Sequence, residues 1–240
     1  MLDRSSPPSF GPGGGESRAT DLHRAGTLLS LSGIVFLLTV MVLEALSPGY
    51  STHHNTISDL LAVGTGTSLL GEPMIFLAAM CWIGGAYFLF RRTGQPGWLA
   101  LNLLPGTGLL LAVLSPENVN LAVHSLGAVL AFVPGPISAL LSYRRLRSPF
   151  RYLALALGAI SLAGTAIFFG AYETPLVQQG LGPGGWERVI VYPLFLWLIG
   201  LGSDRLRAST ERTPGSPRVE AGFAPEGPLD PGASSSFGTS

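Results

Sequence analysis

Seven residues in three short stretches hold the side chains with which this chain could do chemistry: Ser58 and Asp59; Glu117, Asn120 and His124; Glu187 and Arg188. A histidine among carboxylates is the equipment of general acid–base catalysis, with the imidazole moving the proton. The same residue types fit part of a metal site, His124 with Asp59 or Glu187, because a catalytic zinc takes three such ligands and keeps one position open. The adjacent His53 and His54 add little, since neighbouring side chains diverge and rarely reach one ion. Asn120 lies four residues before His124, on the same helix face, and Ala128, Ala131 and Gly135 continue that face with small groups. Such a face packs against another helix, so His124 is expected to point into the protein. Arg188 follows Glu187 directly, and on a helix the two point about 100° apart. Arg188 therefore needs a carboxylate from elsewhere. Asp59, Glu173 and Glu117 are candidates, and the pair expected is Arg188–Asp59, tying a loop to the last helix.

The elements that must position these residues are apolar. The chain of 240 residues is 47% hydrophobic and 12% charged, with a mean hydropathy of +0.43. A soluble domain carries roughly 25% charged residues, so a bilayer is the natural solvent for this one. Six apolar runs stand out, at about 25–46, 73–90, 98–115, 121–143, 152–172 and 187–206. A helix needs roughly 20 residues to cross the hydrocarbon layer, and each run is near that length. The last has a short strictly apolar part, Val189–Gly202, interrupted by Pro193, and must borrow polar ends. The expected fold is all-α: a polytopic transmembrane helical bundle of six spans over 25–206. Residues 1–24 and 207–240, rich in Gly, Pro and Ser, are expected as disordered cytoplasmic tails. The first run is too long for the apolar core of a signal peptide and is taken as retained.

Orientation follows from arginine. All 14 basic residues are Arg, and an even number of spans puts every one except Arg188 on one side. That side is the cytoplasmic one, so both termini are expected there, in a multi-pass protein of the cell membrane. The opposite side holds Glu44, Asp59, Glu72, Glu117, Glu173 and Glu187 against the lone Arg188. It also carries the longest loop, 47–72, in which Ile57, Leu60 and Leu61 share one face of a short helix with Asn55 or Thr56 as its N-cap. This loop is expected to lie as a lid on the outer mouth of the bundle. Pro105, and Pro134-Gly135-Pro136, should kink spans 3 and 4 and free carbonyls that need internal partners. Gly84, Gly85, Gly106, Gly108, Gly127, Gly158 and Gly164 allow close helix approach.

Three segments together resemble a known family. They are Thr56-Ile57-Ser58-Asp59-Leu60; Ser115-Pro116-Glu117 followed by His124-Ser125-Leu126; and Gly182-Pro183-Gly184-Gly185-Trp186-Glu187-Arg188 with Tyr192 and Trp197. Their order resembles a prokaryotic six-span membrane protein family, the domain of unknown function 998, over about residues 25–205. The resemblance implies Ser58, Asp59, His124, Glu187 and Arg188 as family positions and supports the fold; it implies no activity. The chain departs from the pattern at Glu72-Pro73-Met74, where a Phe-Asn pair is common in the family.

Three functional readings follow. The first is a structural or accessory membrane protein whose outer polar cluster holds loops to the bundle. The second is lipid or small-molecule binding or transport through a cavity between kinked spans 3 and 4. The third is a membrane-embedded hydrolase or transferase acting on lipid head groups with His124 and nearby carboxylates. No pattern in the sequence indicates a cofactor. One span-borne histidine excludes paired haem ligation. The arginines line the inner membrane surface, so the expected partners are membrane lipids and not nucleic acid, with protein partners open. Cys81 reads as a packing residue.

Overall fold

A chain in hydrocarbon has no water to satisfy its peptide groups, and a helix satisfies them internally. The computed structural model describes residues 13–211, with side chains from Ala19 onward, and the described chain is helical with no strand. Its helices are α1 (Gly13–Leu46), α2 (Ser68–Thr93), α3 (Pro96–Leu114), α4 (Leu121–Phe132), α5 (Pro134–Ser142), α6 (Phe150–Gly170) and α7 (Gly182–Thr210). The α4–α5 pair acts as one span, which gives six stretches long and apolar enough to cross a membrane. The expected tail segments 1–12 and 212–240 lie outside the described residues.

The first and last helices run further than their apolar content requires. α1 begins at Gly13, not near residue 25, and α7 continues to Thr210. At roughly 1.5 Å per residue, α1 alone is about 50 Å long, well beyond a hydrocarbon layer of about 30 Å. Tertiary contacts explain the extension. Leu22 and Ala25 are buried with Leu89 and Trp98, and Asp21 pairs with Arg91 at 3.5 Å. Glu211 pairs with Arg147 at 2.7 Å beyond the end of α7.

The helices form a closed ring: each packs on its chain neighbours, and α7 packs back on α1. Bulky rings fill the centre. Phe36 and Phe195 stack at 3.8 Å, and Trp82 meets Phe195 edge-on at 5.5 Å. Trp197 is fully buried and donates its indole N–H to Ser142 Oγ at 2.9 Å. At the arginine-rich end, Arg145 lies over the Trp98 ring at 4.3 Å and Arg151 over Tyr143 at 4.2 Å.

Proline dictates the one break inside a span. Pro136 has no N–H to offer the carbonyl of Phe132, four residues earlier, and Thr165 Oγ1 of α6 lies 2.9 Å from that oxygen, sharing its one proton between it and Ser161 O at 2.8 Å. Pro105 likewise frees Leu101 O, which accepts from Ser138 Oγ at 3.0 Å. Both expected kinks thus have the internal partners they need.

The break sends the two halves of span 4 different ways. α5 packs on α6, whereas α4 leans on α3 and touches α6 only sparsely. A Cβ added to Gly127 would lie 2.7 Å from Gly108 O, so these glycines bring α3 and α4 into backbone contact. The cavity expected at spans 3 and 4 is present deeper in the bundle, lined by Leu109, Ala112 and Val113 of α3 and by His124, Ala128 and Ala131 of α4. Those glycines bring the two backbones together beside it, and a larger space lies on the α6 side of α4.

Replacing Thr165 with Val keeps the volume and removes the donor to Phe132 O. The variant should lose about 0.6–1.7 kcal/mol of stability in detergent, read as a lower thermal midpoint. Ser203→Ala should leave the midpoint unchanged, because Ser203 bonds only within its own exposed helical turn.

Candidate functional site

The loop between α1 and α2 folds across the acidic end of the ring. Residues Ser58–Leu61 form a single 3-10 turn with Leu60 and Leu61 buried. Ile57, also buried, is its N-cap without a side-chain cap bond. The polar residues before it bind each other instead: Asp59 Oδ2 accepts from Thr56 N–H at 2.8 Å and from Asn55 Nδ2 at 3.3 Å. The expected lid exists, but Asp59 is spent on holding its own turn.

Arg188 holds that lid down through a different partner. Its Nε and Nη2 both donate to Glu44 Oε1, at 3.0 and 2.5 Å, and not to Asp59. Nη2 also donates to Tyr50 Oη at 2.7 Å, and Nη1 donates to Gly184 O at 2.7 Å. Tyr50 passes its own proton to Thr56 O at 2.7 Å. One guanidinium thus joins the end of α1, the start of α7 and the lid, as a planar fork with five donors can. Its side chain is 10% exposed, and that of Glu44 21%. Burial raises Tyr50 to about 12, against the pull of the Arg188 hydrogen bond and charge. Two glycines make the fit possible. Gly182 has φ +73°, and Gly184 donates its N–H to His53 O at 3.2 Å where a Cβ would lie 2.6 Å from Thr52 O.

The remaining candidates face inward. Glu187 is buried, and its Oε2 takes a very short hydrogen bond from Ile57 N–H. Oε1 has no partner among the described residues. Ser58 Oγ donates to Glu117 Oε2 at 2.7 Å. His124 Nδ1 lies 3.1 Å from both Ala112 O and Ser115 O. Carbonyl oxygens only accept, so Nδ1 carries a proton, and Nε2 is the ring nitrogen not engaged by those carbonyls. Asn120 is structural, capping α4 by accepting from Val123 N–H at 3.2 Å.

Ser58, His124 and Glu187 line two adjoining cavities. The outer one, about 310 Å³, is walled by Glu117 and Ser125 on one side and Phe168, Phe169 and Tyr172 on the other. The inner one, about 60 Å³, runs to the Phe36–Phe195 stack. Leu121 and Ser125 of α4, Phe169 of α6 and Tyr172 just beyond α6 are exposed where they line the outer cavity, which lies between α4 and α6. Burial raises Glu117 above the usual carboxylate range; the Ser58 hydrogen bond pulls it down, while Asp59 pushes it further up. Tyr172 is raised too, chiefly by burial and then by Glu117. Among the described residues no three His, Cys, Asp or Glu side chains converge as a metal site.

Residues 30–204 match the family described as "Protein of unknown function (DUF998)". The chain belongs to that family. No curated protein and no solved structure matches it. The matched DUF998 segment contains Glu44, Tyr50, all seven candidate residues and both cavities.

Sequence reasoning missed Tyr50 and Tyr172 altogether as site residues, and placed Glu44 only as an outer acid. Glu44 does carry a usable signal: it is a carboxylate in the last turn of a long apolar helix, at the depth where Arg188 enters its own. Arg188→Ala strands a half-buried Glu44 and should cost about 2 kcal/mol, with faster amide exchange over residues 50–56. Glu117 gives a pH signature. Its folded form holds a proton more readily than the unfolded chain, so stability should fall as pH rises through the interval above the normal carboxylate value. Glu117→Gln should flatten that fall in thermal unfolding measured across pH.

Proposed function

We propose that this protein resides in the cell membrane with both termini in the cytoplasm. There it binds an amphiphile, lipid or small molecule, in the cavity that opens sideways between α4 and α6. One observation carries the reading. The outer polar cluster divides into a half bound within the lid and its anchors and a half that fronts the cavity between α4 and α6. Arg188, Glu44, Tyr50 and Asp59 serve as a latch, which is all that the accessory reading needs. The ring of His124, the second oxygen of Glu187 and the Ser58–Glu117 pair instead line about 310 Å³ of cavity. Polar groups in a water-poor interior are costly unless used. The mouth is apolar and aromatic while the floor is polar, which suits a molecule with a tail and a head. The arginine distribution supports the orientation, with the latch and cavity on the outer side.

Two measurements test this. In a Cys81→Ala background, a membrane-impermeant maleimide added to intact cells should label Val63→Cys and spare Gln95→Cys; the reverse pattern would invert the topology. Ala128 lines both cavities. Ala128→Phe should abolish a co-purifying amphiphile seen by native mass spectrometry while leaving the thermal midpoint within a few degrees. Retention of the same adduct in that variant would sink the binding reading.

A further inference from the structure

Resting on that reading, we infer that the head group this cavity takes is a protonated amine, carried on an apolar chain and without an adjoining phosphate. Four observations converge. His124 donates Nδ1–H to Ala112 O and Ser115 O, which leaves Nε2 to a ligand, as an acceptor when the ring is neutral. Ser58 has committed its proton to Glu117, and its oxygen accepts or shares with Thr56 Oγ1 at 2.9 Å. Glu187 is more than nine-tenths buried at 8% exposure, lines both cavities, and keeps Oε1 without a partner among the described residues. Arg188, the one arginine at this end, is turned away and bound to Glu44 and Tyr50. What meets a ligand is therefore two carboxylates, one imidazole nitrogen and a hydroxyl oxygen, with no arginine.

Such a wall recognises a donor-rich cation. An alkylammonium has three N–H bonds to give and a charge to balance, and hydrogen bonds between ionised partners are roughly twice as strong as neutral ones. Phe168 and Tyr172 meet edge-to-face at 5.2 Å on the α6 side of the cavity. Their rings present faces that attract cations and flanks that suit an alkyl chain. A phosphate would sit against Glu117 and Glu187 with no arginine to neutralise it. That argues against a zwitterionic phospholipid head and for a simple amphiphilic amine.

The test uses the full chain in phosphatidylcholine nanodiscs, with bound adducts counted by native mass spectrometry against protein-free discs. The probes are dodecylamine, dodecanol, dodecyl phosphate and phosphatidylethanolamine. Dodecylamine should bind saturably and outcompete the other three. Glu187→Gln or Glu117→Gln should weaken it about tenfold or more, the loss of one charge-assisted contact. Dodecanol should be indifferent to both changes. Gln keeps an acceptor for Ile57 N–H and for Ser58, and if Glu187→Gln fails to fold, Glu117→Gln alone decides. Equal binding of amine and alcohol, or preference for dodecyl phosphate, overturns the amine assignment and leaves amphiphile binding standing. Phosphatidylethanolamine matching dodecylamine overturns the exclusion of phosphate and makes a lipid head the source of the amine. Saturable binding of none of the probes overturns the amine assignment and the binding reading together.

Discussion

Everything distinctive in this bundle depends on one rule of the hydrocarbon phase: a carbonyl without a partner must be given one by the protein. Span 4 breaks at Val133 because two prolines follow it within three residues. The break persists because Thr165 of α6 accepts the duty that Pro136 cannot perform. Ser138 does the same for Leu101 on the neighbouring span. The prolines would leave those carbonyls open with or without a bend, and the two hydroxyls are what satisfies them. The cavity is thus a by-product of backbone accounting: two halves of one span lean to different neighbours, and the wedge between them stays open.

The acidic end is organised around adjacent residues with opposite duties. Glu187 and Arg188 leave α7 about 100° apart. The first reaches the lid from beneath, through Ile57 N–H, and borders the cavity. The second reaches the lid from the side, through Tyr50, and anchors it to α1 through Glu44. The first turn of one helix therefore sets both the roof of the cavity and the charge on its wall. The glycines at 182 and 184 are part of the same device, because the lid backbone lies where side chains would otherwise stand.

The sequence made the span count, the polarity of the two ends and the inward turn of His124 legible, since each depends on composition or on spacing within one helix. The singular position of Arg188 was legible too. Its partner was not: Glu44 lies 144 residues earlier, and three other outer acids were equally plausible on charge alone. Asp59 drew attention because it sits in a likely lid, yet the tight Thr56–Asp59 turn uses its carboxylate locally. The cavity at spans 3 and 4 was legible only in part, because its larger neighbour is walled by α6. Small residues on kinked spans indicate either space or contact, and only the backbone approach of Gly108 to Gly127 distinguishes the two. The extra turns of α1 were hidden because Gly, Ser and Arg outside the bilayer look like tail until Leu22 and Asp21 find α2 and α3.

Sideways entry has a consequence for how occupancy is measured. The lid is pinned by Arg188 and Glu187, and in the proposed binding mode a ligand passes between α4 and α6 from the acyl chains. A molecule entering there is drawn from the outer leaflet. Its effective concentration is its mole fraction among lipids, which rises with each added methylene. Two homologous ligands with identical contacts in the pocket would then differ in apparent aqueous affinity by their partitioning alone. Affinities compared per mole of lipid, not per litre of buffer, would collapse onto one value.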